Sequence, residues 1–173
     1  YGRSRGLGDV YKRQINMLDE GADINKANDN GATPLYIASQ KGHVEVVRIL
    51  IERGVDINKA MNYSDTTPLW IASLNGHVEV VRILVDRGAD INKAANYGAT
   101  PLLVASLKGD VEVVSILLEN GADINKADEE GATPLFMASQ SGHVDVVRVL
   151  VERGADIDLS LIHISEPTRP AII

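Results

Sequence analysis

The sequence repeats itself about every 33 residues, and this period constrains the fold more than any other feature. The segment "GATPLYIASQKGHVEVVRILIERGVDINKA" at 31–60 returns with few changes at 67–94, 98–127 and 131–158. The prolines of its T-P-L motif are 34, 33 and 33 residues apart, at Pro34, Pro68, Pro101 and Pro134. So regular a period is typical of stacked copies of one supersecondary unit. Since such a unit cannot bury its apolar faces alone, the array must fold together.

Each copy predicts two short helices. Thr33 can cap the first helix with its side chain, and Pro34 suits the first helical position, where no backbone N–H is needed. Gly42 predicts the end of that helix, because glycine readily adopts the left-handed terminal conformation. The second helix, "HVEVVRILIERG", ends at Gly54 and carries its polar residues on one face. We therefore expect its other faces to be buried against the partner helix and a neighbouring repeat.

The motifs T-P-L, A-S, G-H, V-V and G-A-D-I-N resemble, at this spacing, the ankyrin repeat. The resemblance implies a mainly α solenoid of paired antiparallel helices joined by β-hairpin-like loops. It also implies a concave binding surface made by hairpin tips and first helices. It divides the chain into a partial repeat and four repeats, the last one truncated: 15–27, 28–60, 61–94, 95–127 and 128–158.

The sequence departs from the family pattern in two places. Tyr36, Trp70, Leu103 and Phe136 replace the histidine that is usual after T-P-L. We expect Trp70 and its equivalents to pack beneath the loops rather than to touch a partner. The second repeat has one extra residue, and Asp65 stands where the other repeats have glycine, so that tip should differ in shape.

The two ends of the chain are related to each other at the level of DNA. Codons for "LSLIHISEPTR" can be chosen so that their reverse complement encodes "SRGLGDVYKRQ" at 4–14, and the relation extends to fourteen residues at each end. We therefore expect residues 1–14 and 159–173 to be translated sequencing-adapter DNA, which carries no information about the fold. The remainder is then expected to be a fragment of a longer array without its terminal caps.

The net charge of the chain disfavours several classes of partner. Residues 1–14 carry a net +3 and residues 159–173 a net zero, so the total of −7 becomes −10 for 15–158. Nucleic acid and anionic membranes are disfavoured because like charges repel. No cysteine is present, and no apolar run is long enough to span a bilayer. An intracellular, cytoplasmic location is expected.

Residues that could carry chemistry recur in every repeat, whereas a catalytic site occurs once. His43, His77 and His143 share one position, and we expect the local backbone to satisfy them rather than a metal. The recurring serines should be packing residues, and the aspartates Asp56, Asp90, Asp123 and Asp156 should order the loop arms. The sequence therefore predicts no enzyme, no metal site and no cofactor.

Function should lie where the repeats differ, at the loop tips and the ends of the first helices. These positions, which we call the predicted binding surface, are Asp29, Asn30, Gln40, Lys41, Asn62, Tyr63, Leu74, Asn75, Asn96, Tyr97, Leu107, Lys108, Glu129, Glu130, Gln140 and Ser141. Stacking should place Tyr63 beside Tyr97 and Leu74 beside Leu107, giving an apolar centre with acidic tips towards the ends.

The sequence thus predicts a monomeric protein–protein interaction module, and a basic partner protein would suit the acidic rim. The tyrosines and leucines could equally be ordinary, partly exposed residues. Two other functions are also compatible with the sequence. The array could be a passive spacer, or it could be the recognition arm of a multidomain enzyme whose catalytic part lies elsewhere.

Overall fold

The computed structural model describes residues 23–157, and this part of the chain forms four helix pairs and no strand. The first helices of the pairs are α1 Pro34–Lys41, α3 Pro68–Leu74, α5 Pro101–Lys108 and α7 Pro134–Gln140. The second helices are α2 Val44–Glu52, α4 Val78–Asp86, α6 Val111–Glu119 and α8 Val144–Glu152. A single 3-10 turn, Asn96–Gly98, lies in the loop before α5. The predicted mainly α solenoid is confirmed.

Some predictions concern residues outside the described range. The two adapter-derived segments, 1–14 and 159–173, lie outside it entirely. Of the partial repeat at 15–27, the structure describes only residues 23–27.

The first helices begin where the T-P-L motif predicts. The Thr33 side chain accepts a 3.1 Å hydrogen bond from the backbone N–H of Tyr36, and Pro34 is the first helical residue. The threonines of the other three motifs cap in the same way, at 3.1 to 3.2 Å. Gly42 ends α1 with φ of 70°, and Gly109 ends α5 with φ of 79°. The predicted starts are confirmed for all four first helices, and the predicted glycine end is confirmed for α1 and α5. In α3 and α7 the capping residue is Asn75 or Ser141, one position before the glycine.

The helices stack in two layers. Each first helix packs on the first helix of the next repeat, and each second helix packs on the next second helix and on its own partner. In α4, which has a repeat on either side, Val80, Val81, Leu84 and Val85 are all buried. The predicted burial on two sides is confirmed, and each fully buried Val or Leu contributes roughly 1.5–3 kcal/mol relative to an exposed one.

The loops between repeats end in tight tips. In the first repeat the backbone N–H of Asn28 donates to the carbonyl of Ala32, and the third and fourth repeats close their tips in the same way. In the second repeat the closing bond runs from Met61 to Thr66 and spans one more residue. There Asp65 takes the left-handed conformation, with φ of 52°. The predicted difference in the shape of this tip is therefore confirmed, and its cause is the extra residue.

Candidate interaction surface

Neighbouring loop tips are joined edge to edge by backbone hydrogen bonds. The N–H of Asn96 donates to the carbonyl of Ser64 at 3.0 Å, and the Asn96 side-chain amide donates to the carbonyl of Tyr63 at 2.6 Å. One repeat further on, the N–H of Glu129 donates to the carbonyl of Tyr97 at 2.9 Å. The tips of repeats 2, 3 and 4 therefore form one continuous row.

Two tyrosines project from this row. Tyr63 and Tyr97 occupy the same position in successive repeats, and they are 77% and 76% exposed. Aromatic side chains this exposed bury little surface within their own fold and are available for contact with another molecule. The eight tip residues of the predicted binding surface are all exposed: Asp29, Asn30, Asn62, Tyr63, Asn96, Tyr97, Glu129 and Glu130.

The backbone of Tyr97 is strained. Its φ is 62° and its ψ is 17°, a left-handed conformation that is a genuine outlier for a bulky residue. Such a conformation costs roughly 1–2 kcal/mol for an L-residue. The carbonyl of Tyr97 accepts a hydrogen bond from the Glu129 N–H. The bond that closes the tip, from the Ala95 N–H to the Ala99 carbonyl, spans Tyr97. This strain was not predicted from the sequence, in which the only signal for it was the tight tip "NYG".

A shallow, wide-open cleft of about 400 Å³ lies between the tips of repeats 2, 3 and 4. It is lined by Asp65, Ala95, Asn96, Tyr97 and Glu129. Tyr97 lines the cleft whereas Tyr63 does not, so the two equivalent tyrosines differ in their surroundings. Asp65 was outside the predicted binding surface, although the sequence had marked it as the residue that replaces a tip glycine.

The helix-end residues of the predicted binding surface vary more in exposure than the tip residues do. Lys41, Asn75, Lys108, Gln140 and Ser141 are exposed, whereas Gln40, Leu74 and Leu107 are half-buried. Leu74 packs against a small apolar cluster that contains Tyr36 and Ile71. The structure therefore divides the predicted apolar centre: the two tyrosines project from the tips, while the two leucines partly belong to the packed stack.

The recurring histidines connect repeats. The ring Nε2 of His77 bonds to the carbonyl of Gln40 at 3.0 Å, and that of His143 bonds to the carbonyl of Leu107 at 2.9 Å. The expected bond to the local backbone was wrong for these two, because their acceptors lie in the preceding repeat. Among residues 23–157 no group of His, Cys, Asp or Glu side chains is arranged to hold a metal ion.

A glycine in the preceding repeat makes room for each of these rings. A Cβ atom at Gly42 would lie 2.7 Å from Nδ1 of His77, and one at Gly109 would lie 2.5 Å from Nδ1 of His143. Real Cβ atoms do not approach so closely. From the sequence these glycines were predicted only as helix ends, yet they also provide space for the next repeat.

The loop arms are held by paired asparagines and aspartates. The side chain of Asp56 accepts from the backbone N–H of Asn58 at 3.0 Å, and Asp90 and Asp123 do the same at 3.1 Å. The prediction that these aspartates order the arms is confirmed. The asparagines were missed, although four of them follow an aspartate by two residues: Asn25, Asn58, Asn92 and Asn125.

Two of the residues that replace the usual histidine after T-P-L form hydrogen bonds with the next repeat. The indole N–H of Trp70 donates to the carbonyl of Ala99 at 2.9 Å, and the hydroxyl of Tyr36 accepts from Thr66 at 3.3 Å. Trp70 is half-buried against the following loop, as predicted. Its polar contact therefore belongs to the stack and not to the exposed surface.

None of the helices between residues 23 and 157 has the length and hydropathy needed to cross a lipid bilayer.

Comparison with known proteins gives the chain its family. A family model described as ankyrin repeats (3 copies) matches residues 7–95 and 90–160. An ankyrin repeat-containing protein of Schizosaccharomyces pombe is 46% identical over 44 residues, which is 25% of this chain. The chain spans 21% of the length of that relative. Since the family model covers most of the sequence and the helix pairs stack as it requires, the chain belongs to the ankyrin repeat family.

Proposed function

We propose that this chain binds a partner protein through its loop tips and the ends of its first helices. Ankyrin repeats are generally protein-interaction modules, and the family is non-catalytic. The observation that carries the proposal is the row of tips, whose backbones are bonded to one another while Tyr63 and Tyr97 remain exposed. A surface that is already ordered loses little conformational entropy on binding.

The composition of the tips suits a polypeptide partner. Tyrosine is enriched among the residues that contribute most to protein interfaces, because it combines a large apolar ring with a hydrogen-bonding hydroxyl. The tips on either side of the two tyrosine-bearing tips carry exposed acidic residues, Asp29 in repeat 1 and Glu129 and Glu130 in repeat 4. A partner with basic residues around an apolar contact fits this arrangement, and its association rate should fall as the salt concentration rises.

The outer surface of the second helices is a weaker candidate. There Arg48 bonds to Glu79 at 2.7 Å, and Arg82 lies 3.4 Å from Glu112. These charges pair with each other across the repeats and would have to be separated from their partners to bind anything else. Binding through the tip tyrosines requires no ion pair to be broken, which favours the tip surface.

The proposal can be tested by selection from a phage-displayed library of random 16-residue peptides against the full chain. Enriched peptides should lose binding to Tyr97→Ala while the melting temperature stays within a few degrees, since the ring is exposed. Arg82→Ala, on the outer surface, is the matched control and should bind as the parent does. Leu107 is less informative, because truncating a half-buried leucine removes packing as well as contact.

The same experiment separates a binding module from a passive spacer. A spacer would enrich no peptide above an unrelated control protein. Peptides that bind Tyr97→Ala as well as the parent, or that depend on Arg82, would place the binding surface elsewhere.

A further inference from the structure

We propose that Ala95 is a positioning residue for Tyr97. Because the Ala95 side chain has no oxygen that could accept a hydrogen bond, the tip of repeat 3 holds Tyr97 in the left-handed conformation in which it contacts the partner protein. This inference deepens the proposed function and rests on it. It follows from a difference between tips that begin with asparagine or aspartate and tips that begin with an apolar residue.

The tips of repeats 1 and 4 are fixed by the side chain of their first residue. In repeat 1, Oδ1 of Asn28 accepts hydrogen bonds from the backbone N–H of Asn30 at 3.1 Å and from that of Ala32 at 2.9 Å. In repeat 4, Oδ1 of Asp128 accepts from the N–H groups at the same two positions, at 3.0 and 2.8 Å. A side chain that bonds to the backbone two residues further on stabilises one conformation of a turn.

The tip of repeat 3 has the same backbone closure without the side-chain acceptor. The N–H of Ala95 donates to the carbonyl of Ala99 at 2.9 Å, and the N–H of Gly98 donates to the carbonyl of Ala95 at 3.1 Å. Repeats 1 and 4 form both of these bonds at the equivalent positions. The methyl group of Ala95, however, cannot accept the two bonds that Asn28 and Asp128 accept. The tips therefore differ in one interaction, and its absence in repeat 3 is visible in the sequence.

The backbone conformation differs between the tips in the same way. Within residues 23–157, the non-glycine residues with positive φ are Asp65 in repeat 2 and Tyr97 in repeat 3. Both lie in tips that begin with an apolar residue, Met61 or Ala95, and both of these tips carry an exposed tyrosine. In the tips of repeats 1 and 4, the residue with positive φ is the glycine. The apolar first residue thus goes together with strain at a later tip residue.

Turn geometry explains why the acceptor and the left-handed tyrosine exclude each other. A turn with negative φ at both central residues is of type I and favours asparagine or aspartate at its first position. Positive φ at the third residue, as at Tyr97, belongs to a type II turn, in which the central peptide group is flipped. The flip turns the N–H of the third residue away from the first side chain, so the bond that Asn28 makes to Asn30 has no counterpart there.

The strain at Tyr97 indicates contact with another molecule. Its ring is 76% exposed, so packing within the chain does not offset the unfavourable backbone. Strained backbone conformations that a fold maintains cluster at ligand clamps and other functional sites. The Tyr97 carbonyl is already bonded to the Glu129 N–H at 2.9 Å, which fixes the direction of the side chain before a partner arrives. A fixed, exposed aromatic residue is suited to be an anchor in an interface.

The variant Ala95→Asn supplies the missing acceptor in the full chain. Its side chain should bond to the N–H groups of Tyr97 and Ala99, as Asn28 does in repeat 1, and should return Tyr97 to negative φ. By NMR, the nuclear Overhauser effect between the amide proton and Hα of Tyr97 should weaken to the intensity seen at Asn30, because these protons lie closest at positive φ. The melting temperature should rise by about 2–4 °C, since strain is removed and hydrogen bonds are gained.

The phage-selected peptides measure the effect on binding. They should bind Ala95→Asn about tenfold more weakly than the parent, although the Tyr97 ring is still present and the protein is more stable. A purely structural role of Ala95 would not lower affinity while raising stability. Ala95→Met, which has the residue that begins the tip of repeat 2, is the matched control and should keep both the strong Overhauser effect and the affinity of the parent. Ala95→Ser offers a smaller acceptor and should act in the direction of asparagine even if asparagine does not fit.

A strong Overhauser effect at Tyr97 in both Ala95→Asn and Ala95→Ser would overturn this inference, because the missing acceptor would not be the cause of the left-handed conformation. Peptides that bind Ala95→Asn as tightly as the parent, once that effect has weakened, would also overturn it. If those peptides still lost binding to Tyr97→Ala, the proposed function would stand and only the positioning role of Ala95 would fail. A selection that enriched no peptide would overturn the proposed function and this inference with it.

Discussion

The side-chain oxygen of Asn58 accepts a 2.8 Å hydrogen bond from the backbone N–H of Asp90, one repeat further along the chain. The same bond, also at 2.8 Å, joins the three other equivalent pairs: Asn25 and Asp56, Asn92 and Asp123, and Asn125 and Asp156. One residue type at one position thus links all the described loop arms. These four hydrogen bonds, which we call the asparagine ladder, keep the arms in register, and the arms in turn carry the tips.

Removing one hydrogen bond of the asparagine ladder should lower stability measurably. For Asn58→Ala we expect the free energy of unfolding to fall by about 0.5–1.5 kcal/mol, because the Asp90 N–H loses its partner. Urea denaturation followed by far-UV circular dichroism measures this change. Asn30→Ala, at an exposed tip, is the control and should stay within about 0.5 kcal/mol of the parent. If the two variants were equally stable, the ladder would contribute nothing.

Two glycines with the same backbone conformation should respond differently to alanine. Gly88 has φ of 85° and open space where the methyl group of an alanine would lie, so Gly88→Ala should cost only the strain of about 1–2 kcal/mol. Gly109 has φ of 79°, and its Cβ would meet the His143 ring. Gly109→Ala should therefore cost a further 1–3 kcal/mol or so from overpacking.

Removing the His143 ring tests whether contact with it causes the additional cost at Gly109. In the background of His143→Ala, the additional cost at Gly109 should largely disappear, because the methyl group no longer meets a ring. Denaturation of the four proteins in this double-mutant cycle measures the coupling. Independent effects of the two changes would show that the contact between repeats is not the cause.

The outer surface lacks one ion pair that a substitution should supply. Arg48 bonds to Glu79, and Arg82 to Glu112, but Ser115 occupies the equivalent position in repeat 3. Ser115→Arg should place a second cation near Asp145, which already pairs with Arg148 at 3.2 Å, and raise stability by up to about 1 kcal/mol at low salt. The gain should shrink as sodium chloride is added, since exposed charges are screened. Ser115→Gln, a long uncharged side chain, is the control; an equal, salt-independent gain there would point to packing instead.

The aliphatic core should be sensitive to a single truncation. Leu50 is 5% exposed within α2, so Leu50→Ala should destabilise by about 2–5 kcal/mol through lost burial and the cavity left behind. Val144 is 66% exposed, and Val144→Ala should change stability by less than about 0.5 kcal/mol. Thermal denaturation compares the two. A small loss at Leu50 would mean that the stack does not share a continuous core.

Local chemistry explains why the helices could be predicted from the sequence. Thr33 and Pro34 define a helix start through groups only a few residues apart, and Gly42 defines an end through its own backbone freedom. The repeat period then places every copy in the same way. The same logic predicted the odd tip of repeat 2, because one extra residue and Asp65 were visible in the sequence.

Contacts about 30 residues apart along the chain could not be predicted in this way. The bond from Asn58 to Asp90, the space that Gly109 leaves for His143, and the half-buried state of Leu74 all depend on how one repeat sits on the next. The recurrence of these residues was visible, but recurrence alone does not say which atoms meet.

The sequence by itself determined the repeat, its two helices and the positions that differ between copies, because caps, helix breakers and apolar periodicity act over a few residues. Only the tertiary structure decided which of those positions share a site. Tyr63 and Tyr97 are equivalent in sequence, yet stacking puts Tyr97 in a cleft with Asp65 and Glu129 and leaves Tyr63 outside it. The physical reason is that the cleft is built from three repeats at once, so no single repeat contains the information that forms it.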